Sequence, residues 1–212
     1  MERIVDLTRT FTDTVAGFHK SVSKTLNKDG WNAATLNIYS HAGTHMDAPT
    51  HFETSTQTID EIPVTSFIGK AWVVDLRHIG YNGLISAEDI TSGIKGKFSS
   101  GDSLLLWTNW SKKHGTPAFR DELPRISDEA ANWCVTAGVK MLAVEPPSVA
   151  DVNNMREVTD IHKILLDHVI IIEGIINLEA LKKPCVELIA LPIKVGGGDG
   201  APCRVVAIEK YG

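Results

Sequence analysis

The stretch HAGTHMDAPTHF, residues 41–52, decides the fold, because helical and extended readings place its ionisable groups differently. As a helix, His41 and His45 share a face while Asp47 lies about 200° further round. Gly43 and Pro49 also oppose a helix, by about 1 and about 3 kcal/mol relative to alanine. As extended chain, His41, His45, Asp47 and His51 fall on one side, since side chains alternate with period two. Gly43 and Pro49 are then small spacers, and the extended reading is preferred. A flat strand would still hold the Cα atoms of His41 and His45 about 13 Å apart. Two imidazoles sharing one ion need bonds of about 2.0–2.1 Å each. A bend is therefore predicted at Gly43-Thr44, where glycine turns at low steric cost, and Pro49 starts the exit toward His51. Imidazole and carboxylate on a bent, rigid loop make a coordination shell suited to Zn²⁺, Mn²⁺ or Fe²⁺. With no thiolate in the cluster, a closed, cysteine-rich structural zinc site is disfavoured.

Around this stretch, eight short runs rich in Val, Ile, Leu and aromatics read as strands: RIVDL, ATLNIYS, AWVVDL, SLLLWT, MLAVE, HVIIIEG, VELIALPI and CRVVAIE. Three segments read as helices. SAEDITSGI opens with Ser86 and has Asp89 three residues on, close to a capping box. SDEAANWCVTAG has Ser127 as N-cap and Gly138 as stop, and DIHKILLDH has Asp160 as N-cap before an Ile161, Ile164, Leu165 stripe. Strands such as MLAVE and VIIIEG are apolar on both faces, so helices or a second sheet must cover them. No linker, repeat or low-complexity segment divides the chain, which reads as one mixed α and β domain over residues 1–212, with two β layers.

Glu173 interrupts an otherwise apolar run, and an ionised carboxylate there costs several kcal/mol unless paired or metal-bound. His162, eleven residues earlier, is expected in the first turn of its helix, where a helix-to-strand return brings both to one sheet edge. Beside the histidine cluster, the pair reads as completion of a metal site.

Composition bounds the rest. The 212 residues are 43% apolar and 22% charged, enough for a sizeable core, and carry a formal charge of −5. Mild acidity, with no Lys/Arg run longer than two, argues against nucleic acid as the main partner. No signal segment and no span of about 20 apolar residues is present, so no membrane partner is expected. Cys134, Cys185 and Cys203 form no CxxC pair and read as reduced, structural thiols of a cytoplasmic protein. GGGDGA, residues 196–201, fits a dinucleotide fingerprint in letters only, since Pro202 and a strand follow instead of a helix. It reads as a loop at the rim of the site or of an oligomer. GxSxG is absent, which removes a serine nucleophile elbow. Among five tryptophans, read mostly as core, Trp110 is the best pocket candidate.

HAGTHMDAPTHF resembles the HxGTHxDxPxHF signature of the cyclase-like metal hydrolases, the family of bacterial kynurenine formamidases and isatin hydrolases. VDLTRTF resembles that family's opening D(I/L)(S/T)xxF strand, LLLWTNWSKKHG its LLRTGW segment, and IHKILLDHVIIIEGIINL its HrxLLxxxixivEnLxNL segment. ALPIKVGGGDGAPCRVVAIE resembles its closing LPLKixGxDGsPxRaxA. The resemblance implies a layered β/β/α, swivelling-type fold, assembly into homodimers, homotetramers or larger oligomers, and two Zn²⁺ per subunit, with Mn²⁺ as the other candidate. It also implies that His41 and His45 bind one ion and His162 the second. Asp47 and Glu173 are then shared, and His51 donates and accepts protons without binding metal. The expected reaction is hydrolysis of N-formylkynurenine to kynurenine and formate by a metal-bound hydroxide. Opening of a cyclic amide, as by isatin hydrolases, is the alternative, and a non-catalytic metal-binding module comes third. The formamidases place an aromatic residue, often Trp, on the substrate ring after the first strand. Here Gly17 or Phe18 falls near that place. ENL has become EGI, and TGW has become TNW at Thr108-Asn109-Trp110.

Overall fold

Residues 1–211 are described by the computed structural model. Twelve strands form in chain order: β1 (Glu2–Asp6), β2 (Phe18–Lys24), β3 (Ala33–Ile38), β4 (His45–Asp47), β5 (Ile68–Asp75), β6 (Leu84–Ile85), β7 (Ser103–Trp107), β8 (Arg125–Ile126), β9 (Met141–Val144), β10 (Ile170–Glu173), β11 (Cys185–Pro192) and β12 (Gly200–Lys210). Eight of them make one sheet in the order β1-β12-β11-β5-β7-β9-β10-β4. An extra pairing of β4 with β12 closes it into a barrel-like ring. Strands β5, β7, β9 and β10 run parallel, and β11, β12 and β4 are antiparallel to their neighbours. Closure removes the free edges that an open sheet would expose around β4.

The period-two alternation of the apolar runs sorts the core into two compartments. Leu105, Met141, Ala143 and Ile172 point into the ring, where they meet Met46, Leu188, Ala190 and Val205 from the other β layer. Leu104, Leu106, Leu142, Val144 and Ile171 point outward against helices. Continuous apolar strands are therefore covered on both faces, as their composition requires.

The helices are α1 (Leu26–Asp29), α2 (Ala87–Gly93), α3 (Ala118–Asp121), α4 (Asp128–Ala137) and α5 (Met155–Leu165). Ser86 and Asp89 form the full capping box of α2, and Ser127 caps α4, which stops at Gly138 in the left-handed conformation. The start of α5 differs from expectation. Asn154, not Asp160, is its N-cap, through Glu157 N–H, so His162 sits in the last turn rather than the first. The residues 155–157, Met-Arg-Glu, are polar enough to hide the first turn, while Asp160 imitates a cap inside the helix.

Strands β2 and β3 pair only with each other, as a hairpin whose residues are mostly exposed. Val22, Leu26, Trp31, Leu36 and Tyr39 on or beside it face solvent. Trp31 is thus not core, unlike Trp72 and Trp110. Among the described residues no helix is long and apolar enough to cross a membrane.

Candidate metal centre

The 41–52 stretch is extended only at His45–Asp47. His41 lies in the preceding bend, and Pro49–Phe52 forms a 3-10 turn instead of further strand. Gly43 supplies the bend with φ +64. Short β4 is wedged between β10 and β12, with His45 opposite both Glu173 and Pro202, and Asp47 opposite Gly200. The crossing of β4's entry loop over β10's exit is tight. Gly174 adopts φ +71, and a Cβ there would stand 2.3 Å from the Gly43 carbonyl oxygen. Thr44 locks the crossing, its hydroxyl donating to Gly174 O at 2.8 Å.

These constraints bring His41, His45, Asp47, His162 and Glu173 together, all buried except half-buried His41. His45 Nε2 is 3.2 Å from Glu173 Oε2 and 3.7 Å from Asp47 Oδ1. His162 Nε2 is 3.7 Å from both Asp47 Oδ2 and Glu173 Oε1. His41 Nδ1 lies 2.8 Å from Asp47 Oδ1, and its Nε2 3.0 Å from Asp199 Oδ2. Three ligand sets have donor atoms within 4.8 Å of one another: His41, His45 and Asp47; Asp47, His162 and Glu173; and His41, His51 and Asp199.

The tautomers test whether a cation fits. His45 Nδ1–H donates to Gly43 O at 3.2 Å, and His162 Nδ1–H donates to Val158 O at 2.6 Å. Backbone carbonyls thus accept from Nδ1–H and aim each Nε2 at carboxylate oxygens, where it must either carry a proton of its own or give its lone pair to a metal ion. Lone pair facing anion is repulsive unless a positive charge lies between. Among the described residues, fully buried Asp47 Oδ2 has no hydrogen-bond partner, a costly state for a carboxylate oxygen. A divalent cation satisfies both demands, so the residues fit the metal implied by their sequence.

The ionisation of the cluster says the same. Burial works against charge on every member, yet Glu173 and Asp47 raise the His45 pKa, and Glu173 raises that of His162. The Asp47 and Asp199 carboxylates pull His41 up to about 9. Burial would raise Asp47, but His41, His45 and His162 hold it below the usual carboxylate range. The site as a whole attracts positive charge.

His51 stands outside this inner group. Its ring stacks on His41 with centroids 3.9 Å apart, and Nδ1 is 3.7 Å from Asp199 Oδ2. Burial, aided by His41 and His162, lowers its pKa against the pull of Asp47 and Asp199. Phe18 is one layer back, its ring 5.0 Å from Phe11, which in turn faces Gly43. Trp110 lies against Phe119, itself a lining residue of the cavity beside the histidines. It is 3% exposed, and its indole N–H donates to Phe119 O, so it supports the site's surroundings from within the core. Asp199 was not among the expected site residues. Its one signal in the sequence is a lone acid within GGGDGA, the loop leading into β12 at Gly200. A Cβ at Gly200 would come within 2.8 Å of His41 Cε1.

Imidazoles and carboxylates buried at the closure of a barrel-like sheet define a candidate metalloprotein. The Cyclase family model, described as "Putative cyclase", matches residues 5–151, and the chain belongs to that family. A kynurenine formamidase from Salinibacter ruber (strain DSM 13855 / M31) is 35% identical, over 82% of this chain and 79% of the relative. Another from Erythrobacter litoralis (strain HTCC2594) is 31% identical, over 84% of this chain and 77% of the relative. Among solved structures, isatin hydrolase A from Ralstonia solanacearum superposes with a TM-score of 0.87 at 22% identity, covering 99% of this chain and 92% of that one.

Proposed function

We propose that this chain is a metal-dependent amidohydrolase of the arylformamidase type, converting N-formylkynurenine to kynurenine and formate. The observation that carries the reading is the buried, unpartnered Asp47 Oδ2, set among imidazoles whose Nδ1 protons are turned away. His41, His45, Asp47, His162 and Glu173 would hold two divalent cations, Zn²⁺ or Mn²⁺, with the two carboxylates shared. When bound, such cations lower the pKa of water toward neutrality and polarise the amide carbonyl. His51 does the proton work. Half-buried and held below its ordinary pKa, it is neutral near pH 7. It takes a proton from the attacking water and returns it to the leaving nitrogen as the C–N bond breaks. Asp199, close to both His41 and His51, keeps the two rings in register. The formamidase relatives support the substrate assignment.

The exposed apolar side chains of the β2–β3 hairpin support assembly into a homodimer or homotetramer, since a lone two-stranded ribbon is marginal in water. Cys134, Cys185 and Cys203 are all free thiols, which supports a cytoplasmic, reducing location for this single domain. The test is an assay of purified protein with Zn²⁺ or Mn²⁺ against N-formylkynurenine and against isatin. Turnover of the formamide is expected. Turnover of isatin alone would move the assignment to cyclic amides, and turnover of neither would overturn it. His51→Ala should keep its metal content and lose turnover by at least about 100-fold, whereas unchanged turnover removes the role given to His51.

A further inference from the structure

Beside the metal centre lies a cavity of about 270 Å³, lined by Arg9, Val15, His41, His45, His114 and Arg120 among others. Two guanidiniums therefore face the space where a substrate would sit. Arg120 is engaged, by the Asp121 carboxylate and Asn153 Oδ1. Arg9 is not. Its backbone N–H is fixed to the Thr44 hydroxyl at 2.8 Å, next to His45, and Phe119 lies under its Cζ at 5.3 Å. Yet among the described residues its guanidinium makes no hydrogen bond and no ion pair, and Nη2 is fully buried without a partner. Burial lowers the Arg9 pKa, and Glu145 is the acid that works against it without prevailing. Both Glu145 oxygens, however, are occupied by donors from Thr108, Trp110 and Ser111.

A half-buried guanidinium whose buried Nη2 has no partner is costly to keep unless something pairs with it. Its planar fork matches a carboxylate in two parallel hydrogen bonds. His114, beside it, is shifted down by burial and by Arg9, so it is a neutral neighbour and not a second cation. We propose that Arg9 is a specificity-determining residue that pairs with a carboxylate carried by the substrate, selecting anionic amides over neutral ones. The inference rests on the amidohydrolase reading above. It separates an amino-acid formamide, which carries a carboxylate, from a neutral cyclic amide. Arg9 sits in the opening VDLTRTF segment and is rigidly tied through Thr44 to the bend that carries His45. The recognised charge is thus held at a fixed distance from the reacting carbonyl.

The test compares N-formylkynurenine with its methyl ester, and the product kynurenine with its methyl ester, on wild type, Arg9→Met and Arg9→Lys. The readouts are the acid-to-ester ratio of kcat/KM and the acid-to-ester ratio of Kd by calorimetry. Arg9→Met should lower both ratios by about 30-fold, the loss expected of a charged hydrogen-bonded pair. Arg9→Lys should recover part of that loss. Turnover with ratios unchanged in Arg9→Met overturns the inference and leaves the amidohydrolase reading intact. No turnover by wild type, with an acid preference in Kd that Arg9→Met abolishes, does the reverse. Unchanged ratios with altered self-association assign Arg9 to a subunit contact and also overturn it.

Discussion

Two buried glutamates at the ends of neighbouring parallel strands have opposite fates. Glu145 follows β9, and Glu173 ends β10. Glu145 Oε2 accepts from Thr108 N–H at 2.7 Å and Trp110 N–H at 3.2 Å, and Oε1 accepts from the Ser111 hydroxyl at 2.6 Å. Glu173 has one backbone donor, Val149 N–H at 2.8 Å, and otherwise faces His45 and His162. Burial pushes both pKa values up. For Glu145 it prevails over the neutral donors, so the pKa is raised. For Glu173 burial and Asp47 are overcome by His162 and His45, so it is lowered. Neutral donors turn a buried acid into a clamp for a loop, and imidazoles turn it into part of a candidate cation site.

Breaking the cation side should give the largest effect. Glu173→Gln or Asp47→Asn removes one of the two buried carboxylates of the candidate site. Each should strip the bound metal on dialysis and lower turnover by at least about 100-fold. Metal analysis and steady-state rates check this. Full metal content with full turnover would place the cations elsewhere.

Breaking the clamp should cost stability instead. Glu145→Ala leaves the Thr108 N–H buried and unpaired and the Trp110 N–H with only the Thr108 hydroxyl at 3.4 Å, a loss of about 3 kcal/mol. Glu145→Gln should stay within about 1 kcal/mol of wild type, because its amide oxygen can serve both N–H groups while the Ser111 hydroxyl turns to accept. Both variants should keep their metal. Urea unfolding and metal analysis test this, and metal loss in Glu145→Gln would merge the two glutamates into one site.

The contrast also explains what was legible in the sequence. Seven of the eight runs read as strands, all but ATLNIYS, lie in the main sheet and show themselves because both compartments of the core demand continuous Val, Ile and Leu, and the capping residues Ser86 and Ser127 mark their helices. Glu173 stands out as a charge inside an apolar run, whereas Glu145, at the end of MLAVE before two prolines, looks like an ordinary strand terminus. Its partners arrive from residues 108–111, a contact no local pattern announces. Asp199 is hidden in the same way, 158 residues from the His41 ring it touches. The bend at Gly43 is foreseeable from glycine's freedom. Strand β2, FHKSVSK, is not, because a hairpin standing clear of the core has no apolar alternation to show.

The glycine crossing that joins the cation site to its strand offers a smaller perturbation. Gly174→Ala forces a left-handed conformation on alanine and drives its Cβ toward Gly43 O. A cost of about 2 kcal/mol is expected. Metal affinity should weaken as the loop bearing His41 and His45 is displaced. Thermal unfolding and metal titration read the two effects, and no change in either would mean that the crossing is slack.

The smallest effect is the pH response of the clamp itself. The folded-state pKa of Glu145 lies above its unfolded value, because burial outweighs its hydrogen bonds. Its contribution to stability is therefore full below the unfolded value and is lost as pH rises through the folded one. Glu145→Gln fixes this position in a neutral form. The stability of the variant relative to wild type should accordingly climb as pH rises through the interval above the ordinary glutamate value. Urea unfolding of both proteins across that interval, with the metal concentration held fixed, isolates the difference. A difference that falls with rising pH would mean the Thr108, Trp110 and Ser111 donors outweigh burial, making Glu145 an acid stabilised in its ionised form like Glu173.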